Sequence, residues 1–127
     1  SWRSLNEEQR QALLEATSVL SAEFSWGYEK GAVDNERTAE EQGIGLTQPS
    51  EAMVEKNREF IREDLKTIAS AYEERYGIQN ADEKIERFRE LLGEWRERID
   101  GVESSEELAD LYWEHVFSKV DVSQYGQ

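Results

Sequence analysis

His115 is the only histidine in the chain, and Asp110 and Glu114 lie close to it in sequence. One imidazole with helical carboxylates is a conceivable metal set. The spacing argues against it: no HExxH pattern occurs, and Asp110 and His115, five residues apart, do not share a helix face. A structural or solvated histidine is the reading. Serine hydrolase chemistry would need His115 as its base, yet no Gly-x-Ser-x-Gly elbow is present. Carboxylate doublets recur at Glu7–Glu8, Glu40–Glu41, Glu73–Glu74 and Glu106–Glu107. General acid–base work needs two carboxyls across a cleft with their pKa values pushed apart. Neighbours on an exposed helix face do neither, and twenty-nine acids make such doublets expected by chance. Gly43-Ile44-Gly45 lacks the preceding strand and third glycine of a phosphate loop. Arg87, Arg89, Arg96 and Arg98 could clamp a carboxylate, but Glu83, Glu86, Glu90, Glu94 and Glu97 are interleaved with them. Such a run is a solvated face of i,i+4 pairs. No catalytic, ligand-binding or metal residue is assigned, no cofactor is expected, and the chain is not read as an enzyme.

Composition narrows the classes further. Fifteen basic residues face twenty-nine acidic ones, a formal net charge of -14 over 127 residues. A field of that sign repels phosphate backbones and anionic lipid, so no nucleic acid is expected as a partner. Four Trp, five Tyr and four Phe in a chain that is 37% hydrophobic speak for a folded protein. Cysteine is absent, which removes disulfides and thiol chemistry. No apolar run approaches the eighteen or so residues a membrane span needs, and Ser1 to Leu5 do not read as the start of a signal peptide.

The elements that would position any site are helices. Asn6-Glu7-Glu8-Gln9 has the capping-box pattern. Leu13, Ala16, Leu20, Phe24, Tyr28 and Ala32 then recur at three-four spacing, one helix face, with Gly43 as the expected stop. Trp26 points away from Phe24 and Tyr28. A helix with aromatics on two sides must bury both or expose one, and the open side would seek a second partner. Ile44 to Thr47 could be a short strand, which alone has no stability. Pro49 and Ser50 open a second helix, with Met53, Asn57, Phe60 or Ile61, Leu65, Ile68 and Tyr72 as its inner stripe, ending near Gly77. Asn80-Ala81-Asp82-Glu83 reads as another capping box, and Ile85, Phe88, Leu92, Trp95 and Ile99 form a narrow seam. Ser104 to Glu107 caps a fourth helix, and the tail from Asp121 to Gln127 is expected to fray. The chain is thus read as one all-α region of three to four antiparallel helices, spanning about 6–42, 50–76, 81–100 and 105–119, with at most one short strand near 44–47.

The order of these pieces resembles the C-terminal segment of TRAP-transporter periplasmic solute-binding proteins of the C4-dicarboxylate-binding type. Trp2 to Ala16, with Ser4-Leu5, the Asn6 cap and Glu15-Ala16, is similar to the start of that family's long helix. Glu41-Gln42-Gly43-Ile44-Gly45-Leu46-Thr47 is similar to its stop and short strand, Pro49-Ser50-Glu51-Ala52-Met53 to the next helix, and Tyr72 to Gly77 to that helix's end. The resemblance covers roughly residues 1–100 and rests on order and spacing. It implies a parent of two α/β lobes that closes on a small organic acid and delivers it to a membrane permease, with a periplasmic location. The family's carboxylate-clamping arginine lies upstream of the matched segment, so no residue here inherits ligand binding.

The resemblance makes the chain a C-terminal helical scaffold whose partners are the upstream lobes and, through them, the permease. Self-association through exposed helix faces is the physical relief for uncovered apolar surface. The alternative is a free-standing acidic helical interaction module that uses the Trp95 seam or the Trp26 face. A small helical enzyme with an acidic site is the third reading. Ten Arg, five Lys and the acid excess also predict self-repulsion that salt screens. The melting temperature is expected to rise between low and high salt in a thermal melt, and a flat response would remove that expectation.

Overall fold

The computed structural model describes residues 1–126, and every regular element among them is helical. Four α-helices follow in order: α1 Glu7–Glu41, α2 Glu51–Tyr76, α3 Ala81–Arg98 and α4 Ser105–His115. Short 3-10 turns occupy Trp2–Ser4 and Phe117–Lys119. The chain divides into two compact units, one made of Ser1–Ile44 with Ile99–Gln127, the other of Gly45–Arg98.

Helix ends follow local chemistry. Asn6 Oδ1 accepts from Gln9 N at 2.8 Å and Gln9 Oε1 accepts from Asn6 N at 3.1 Å, the reciprocal cap expected from the sequence. α1 closes in a Schellman arrangement, with Gly43 at φ +75 donating to Glu40 O and Ile44 donating to Ala39 O. That closure explains why no strand forms at 44–47: the Ile44 N–H belongs to the helix stop, and no sheet edge pairs with the residues after it. Pro49 stands before the cap, which is Ser50, whose side chain accepts from Met53 N. The capping box expected at Asn80 is absent. Asn80 has φ 57, and its amide donates to Glu83 Oε2. The Ala81 N–H is satisfied from another helix, by Glu73 Oε1 at 2.9 Å. Ser104 caps α4 as expected, accepting from Glu107 N. α3 ends at Arg98 and α4 at His115, each somewhat earlier than the sequence pattern implied.

In the first unit α4 lies antiparallel on α1: Ser18 Oγ donates to Ala109 O and Ser105 Oγ donates to Glu23 Oε1. The face that α1 presents is the i+4 row Arg10, Leu14, Ser18, Ala22 and half-buried Trp26. Ala22 is fully enclosed and clusters with Leu108 and Ala109, with Val102 and Tyr112 packed around them. Helical side chains lean toward their N-terminus, which carries the Tyr112 hydroxyl to Ser25 Oγ, 3.4 Å away.

From Asp121 to Gly126 the tail does not fray, and Gln127 lies outside the described residues. Trp2 Nε1 donates to Tyr125 O at 2.7 Å, Arg3 Nε to Gly126 O at 3.0 Å and Arg10 Nη1 to Val122 O at 2.8 Å. The Trp2 and Tyr125 rings meet edge to face, the Arg10 guanidinium lies over Trp2, and Arg10 is buried. Asp121 Oδ1 accepts from the Ser123 hydroxyl and backbone N, which holds the Asp121 carboxyl below the usual aspartate range. Gly126 has φ +70, and a Cβ there would sit 3.0 Å from Trp2 Cδ1.

The second unit is an αα-hairpin. Gly77 at φ 65 and Asn80 at φ 57 turn the chain between α2 and α3. Only Ala69 and Ala81 are buried in it. The strongest test of the packing is at the two enclosed α1 positions. Ala22→Leu adds apolar volume where there is no room, and should cost about 1–3 kcal/mol in a denaturant melt despite greater hydrophobicity. Arg10→Met removes charge-assisted donors to two backbone carbonyls, and should cost about 2 kcal/mol.

Candidate functional site

The residues that could have done chemistry are occupied structurally. His115 lies exposed in the last turn of α4. Among the carboxylate doublets, Glu73 serves the Ala81 N–H and Glu107 Oε2 accepts from Glu103 N, while Glu7 and Glu8 stand in the first turn of α1. Among the described residues no group of three or more acids and histidines is placed to hold a metal ion. Arg87 bridges Glu90 at 2.9 Å and Glu94 at 3.1 Å, and Arg98 bridges Glu94 at 3.0 Å. Hydrogen bonds from Arg98 and then Arg87 hold the Glu94 carboxyl below the usual glutamate range. These arginines are engaged by local acids, as the interleaving implied. Arg87 and Glu90 are solvent-exposed, and Glu94 and Arg98 are half-buried at the surface, so the pairs contribute little.

The open apolar faces are the distinctive surface. The stripe that the sequence pattern marks as the inner side of α1 is the side left uncovered: Leu13, Leu20, Phe24 and Tyr28 are 48%, 70%, 74% and 76% exposed. It lies well over a quarter-turn from the row that packs on α4. Phe24 and Tyr28 stack on one another, with ring centroids 6.5 Å apart. Sequence reasoning missed the true packing row because it holds a charge, a serine and an alanine. The signal that could have found it is the unbroken i+4 series from Arg10 to Trp26, in which small residues permit close helix approach. Beside it, Ser25, Trp26, Glu29, Ile99, Val102, Leu108 and Tyr112 border an apolar notch of about 410 Å³.

The hairpin repeats the pattern. Met53, Phe60, Ile61, Ile68 and Tyr72 of α2, and Phe88 and Leu92 of α3, are exposed, whereas Leu65, Ile85 and Trp95 are half-buried. A groove between the two helices is lined by Glu59, Arg62, Glu63 and Lys66 on one wall and Asp82, Glu86 and Arg89 on the other. Charge of both signs along an open groove is a solvated lining, with Glu63 already paired to Lys66 at 2.9 Å. No helix of the described residues is long and apolar enough to cross a membrane.

The open apolar faces are the surfaces that this geometry offers for docking. Replacing Phe24 and Tyr28 by Ser should change the chain's own unfolding free energy by no more than about 0.5 kcal/mol each. Trp26→Ala, on the packed side, should cost several times more; equal losses on the two faces would refute this assignment of them. Comparisons with family models, with curated proteins and with solved structures find no match to this chain.

Proposed function

We propose that the chain is the C-terminal helical scaffold of a periplasmic solute-binding protein of the TRAP-transporter type, and that its α1 stripe covers an α/β lobe supplied by upstream sequence. The observation that supports this reading is the uncovered row of Leu13, Leu20, Phe24 and Tyr28 along a 35-residue helix. A surface of that length and regularity is costly in water, and its spacing is that of a helix laid on another layer. The ordered series of cap, long helix, glycine stop and second helix supplies the family, as described above. In this role the chain performs no chemistry and holds no solute. It braces the lobes that bind a small organic acid, and meets the permease only through them.

A second reading is favoured by a different observation. The first unit ties its two ends together through Trp2, Arg3, Arg10 and residues 122–126, as a self-contained module would. On this reading the chain is a free-standing acidic interaction module and its open faces take other protein helices.

The encoding reading frame and the intact mass of its product discriminate the two. A frame with a βαβ-rich region upstream is expected, and its full product should melt higher when succinate or a similar dicarboxylate is added. In that product Leu20→Asp with Phe24→Asp should lower the melting temperature by several degrees, while the same pair leaves the isolated 127-residue chain unchanged. A natural product of about this chain's mass, with no upstream lobes, would overturn the scaffold reading and leave the module.

A further inference from the structure

Asp100-Gly101 is the one place in the chain where an aspartate or asparagine precedes glycine. Such a pair can close a ring: the glycine nitrogen reaches the carboxyl carbon of the residue before it, and no Cβ on the glycine hinders the approach. The other aspartates are placed differently. Asp34, Asp64, Asp82 and Asp110 lie inside helices and precede larger residues, and Asp121 is held by Ser123.

The surroundings leave Asp100 able to react. It stands exposed in the turn after α3, outside every regular element. Among the described residues none donates to its carboxylate. Gly101 is exposed too, with φ +82 and open space where a Cβ would be. A single backbone bond braces the turn, from Val102 N to Ile99 O at 3.1 Å. An exposed turn so held opens at small free-energy cost.

We infer that Asp100 is a site of spontaneous backbone isomerisation. The Gly101 nitrogen attacks Cγ of the protonated Asp100 carboxyl. A C–N bond forms, the carboxyl C–O bond breaks, and the hydroxyl leaves with the amide proton as water. The product is a succinimide, which water then opens. Attack at Cγ restores aspartate. Attack at the Asp100 backbone carbonyl carbon breaks its bond to nitrogen, frees an α-carboxylate and routes the chain through Cβ and Cγ as isoaspartate. One water is lost and one regained, so solvent is the only co-reactant.

The product alters the packing of the first unit. The extra methylene falls between Ile99 and Val102, which both border the apolar notch beside Trp26. Val102 also packs on the cluster of Ala22, Leu108 and Ala109. The bond from Val102 to Ile99 spans the altered link and does not survive it. The site depends on neither reading of the function.

The test incubates the full folded chain at neutral pH in water labelled with heavy oxygen. Each passage through the ring leaves one heavy oxygen at Asp100, whichever carbonyl water attacks. Cleavage after Arg98 and Lys119 gives one peptide that holds Asp100 and, as an internal control, Asp110. Uptake at Asp100 should exceed that at Asp110 at least about 10-fold and lie within about 10-fold of the rate in the urea-unfolded chain. Isoaspartate should be the larger product. Asp100→Glu would need a larger ring, so uptake at that position should vanish. After ageing, the Val102 amide should exchange faster in the unaltered chain than in Asp100→Glu aged beside it. A smaller excess at Asp100 overturns the inference, as does uptake that persists in the variant. So does a folded chain slower than the unfolded one by more than that margin, or equal Val102 exchange in the two aged chains.

Discussion

The close approach of α1 and α4 at Ala22 is the constraint on which the first unit depends. Ala22 has no exposed surface, and its neighbours across the contact are Leu108 and Ala109. Two helices come this near only where side chains are small, and the i+4 row of α1 supplies Ser18 and Ala22 at the crossing. Ser18 also donates to the Ala109 carbonyl, so the one hydroxyl enclosed there has a partner. The arrangement has a consequence for the rest of the helix. A contact built from small residues leaves the large apolar ones with nowhere to go on that face. They stand on the other side of α1, where no described residue of the unit covers them.

With so little apolar volume inside, polar contacts do much of the ordering. The six buried hydrophobic residues include four alanines, and each alanine removes little area from water. Arg10 compensates at the end of the row. Its guanidinium bonds Val122 O and Trp2 O and lies over the Trp2 ring. It thereby joins the start of α1, the preceding turn and the C-terminal turn in one contact. Hydrogen bonds to a charged group are stronger than neutral ones, and stronger again where water is partly excluded. In the hairpin the corresponding contact is Glu73 Oε1 of α2 accepting from Ala81 N of α3. The hairpin's Arg and Glu pairs run mainly along the surface of one helix, and exposed pairs contribute little.

The helices themselves were legible in the sequence because capping and stop signals act locally. Asn6 with Gln9, Ser50, Ser104, Gly43 and Gly77 each specify a helix end through bonds that need no tertiary partner. The all-α class and four helix spans followed from them. Faces were not legible. Hydrophobic periodicity identifies which side of a helix avoids water, but not whether this polypeptide supplies the cover. For α1 the periodic stripe and the packed row are different rows. The failure at Asn80 has the same origin, since its role is set by Glu73 arriving from α2. The ordered tail escaped notice because its partners, Trp2, Arg3 and Arg10, lie more than a hundred residues away in sequence.

Charge also bears on which cover suits the α1 stripe. The unit that holds it carries sixteen acids against five bases. Diffusional partners of ordinary acidic character would be repelled at the range of a Debye length, about 8–10 Å in physiological salt. A cover attached through the same polypeptide meets no such barrier. Tethering sets its local concentration in the millimolar range and removes most of the entropy cost of association. The apolar gain along Leu13, Leu20, Phe24 and Tyr28 can then outweigh the residual repulsion. On the scaffold reading we propose, an acid-rich unit with one apolar side closes over a linked lobe more readily than it captures a free protein, and a free partner would need a basic rim around its docking groove.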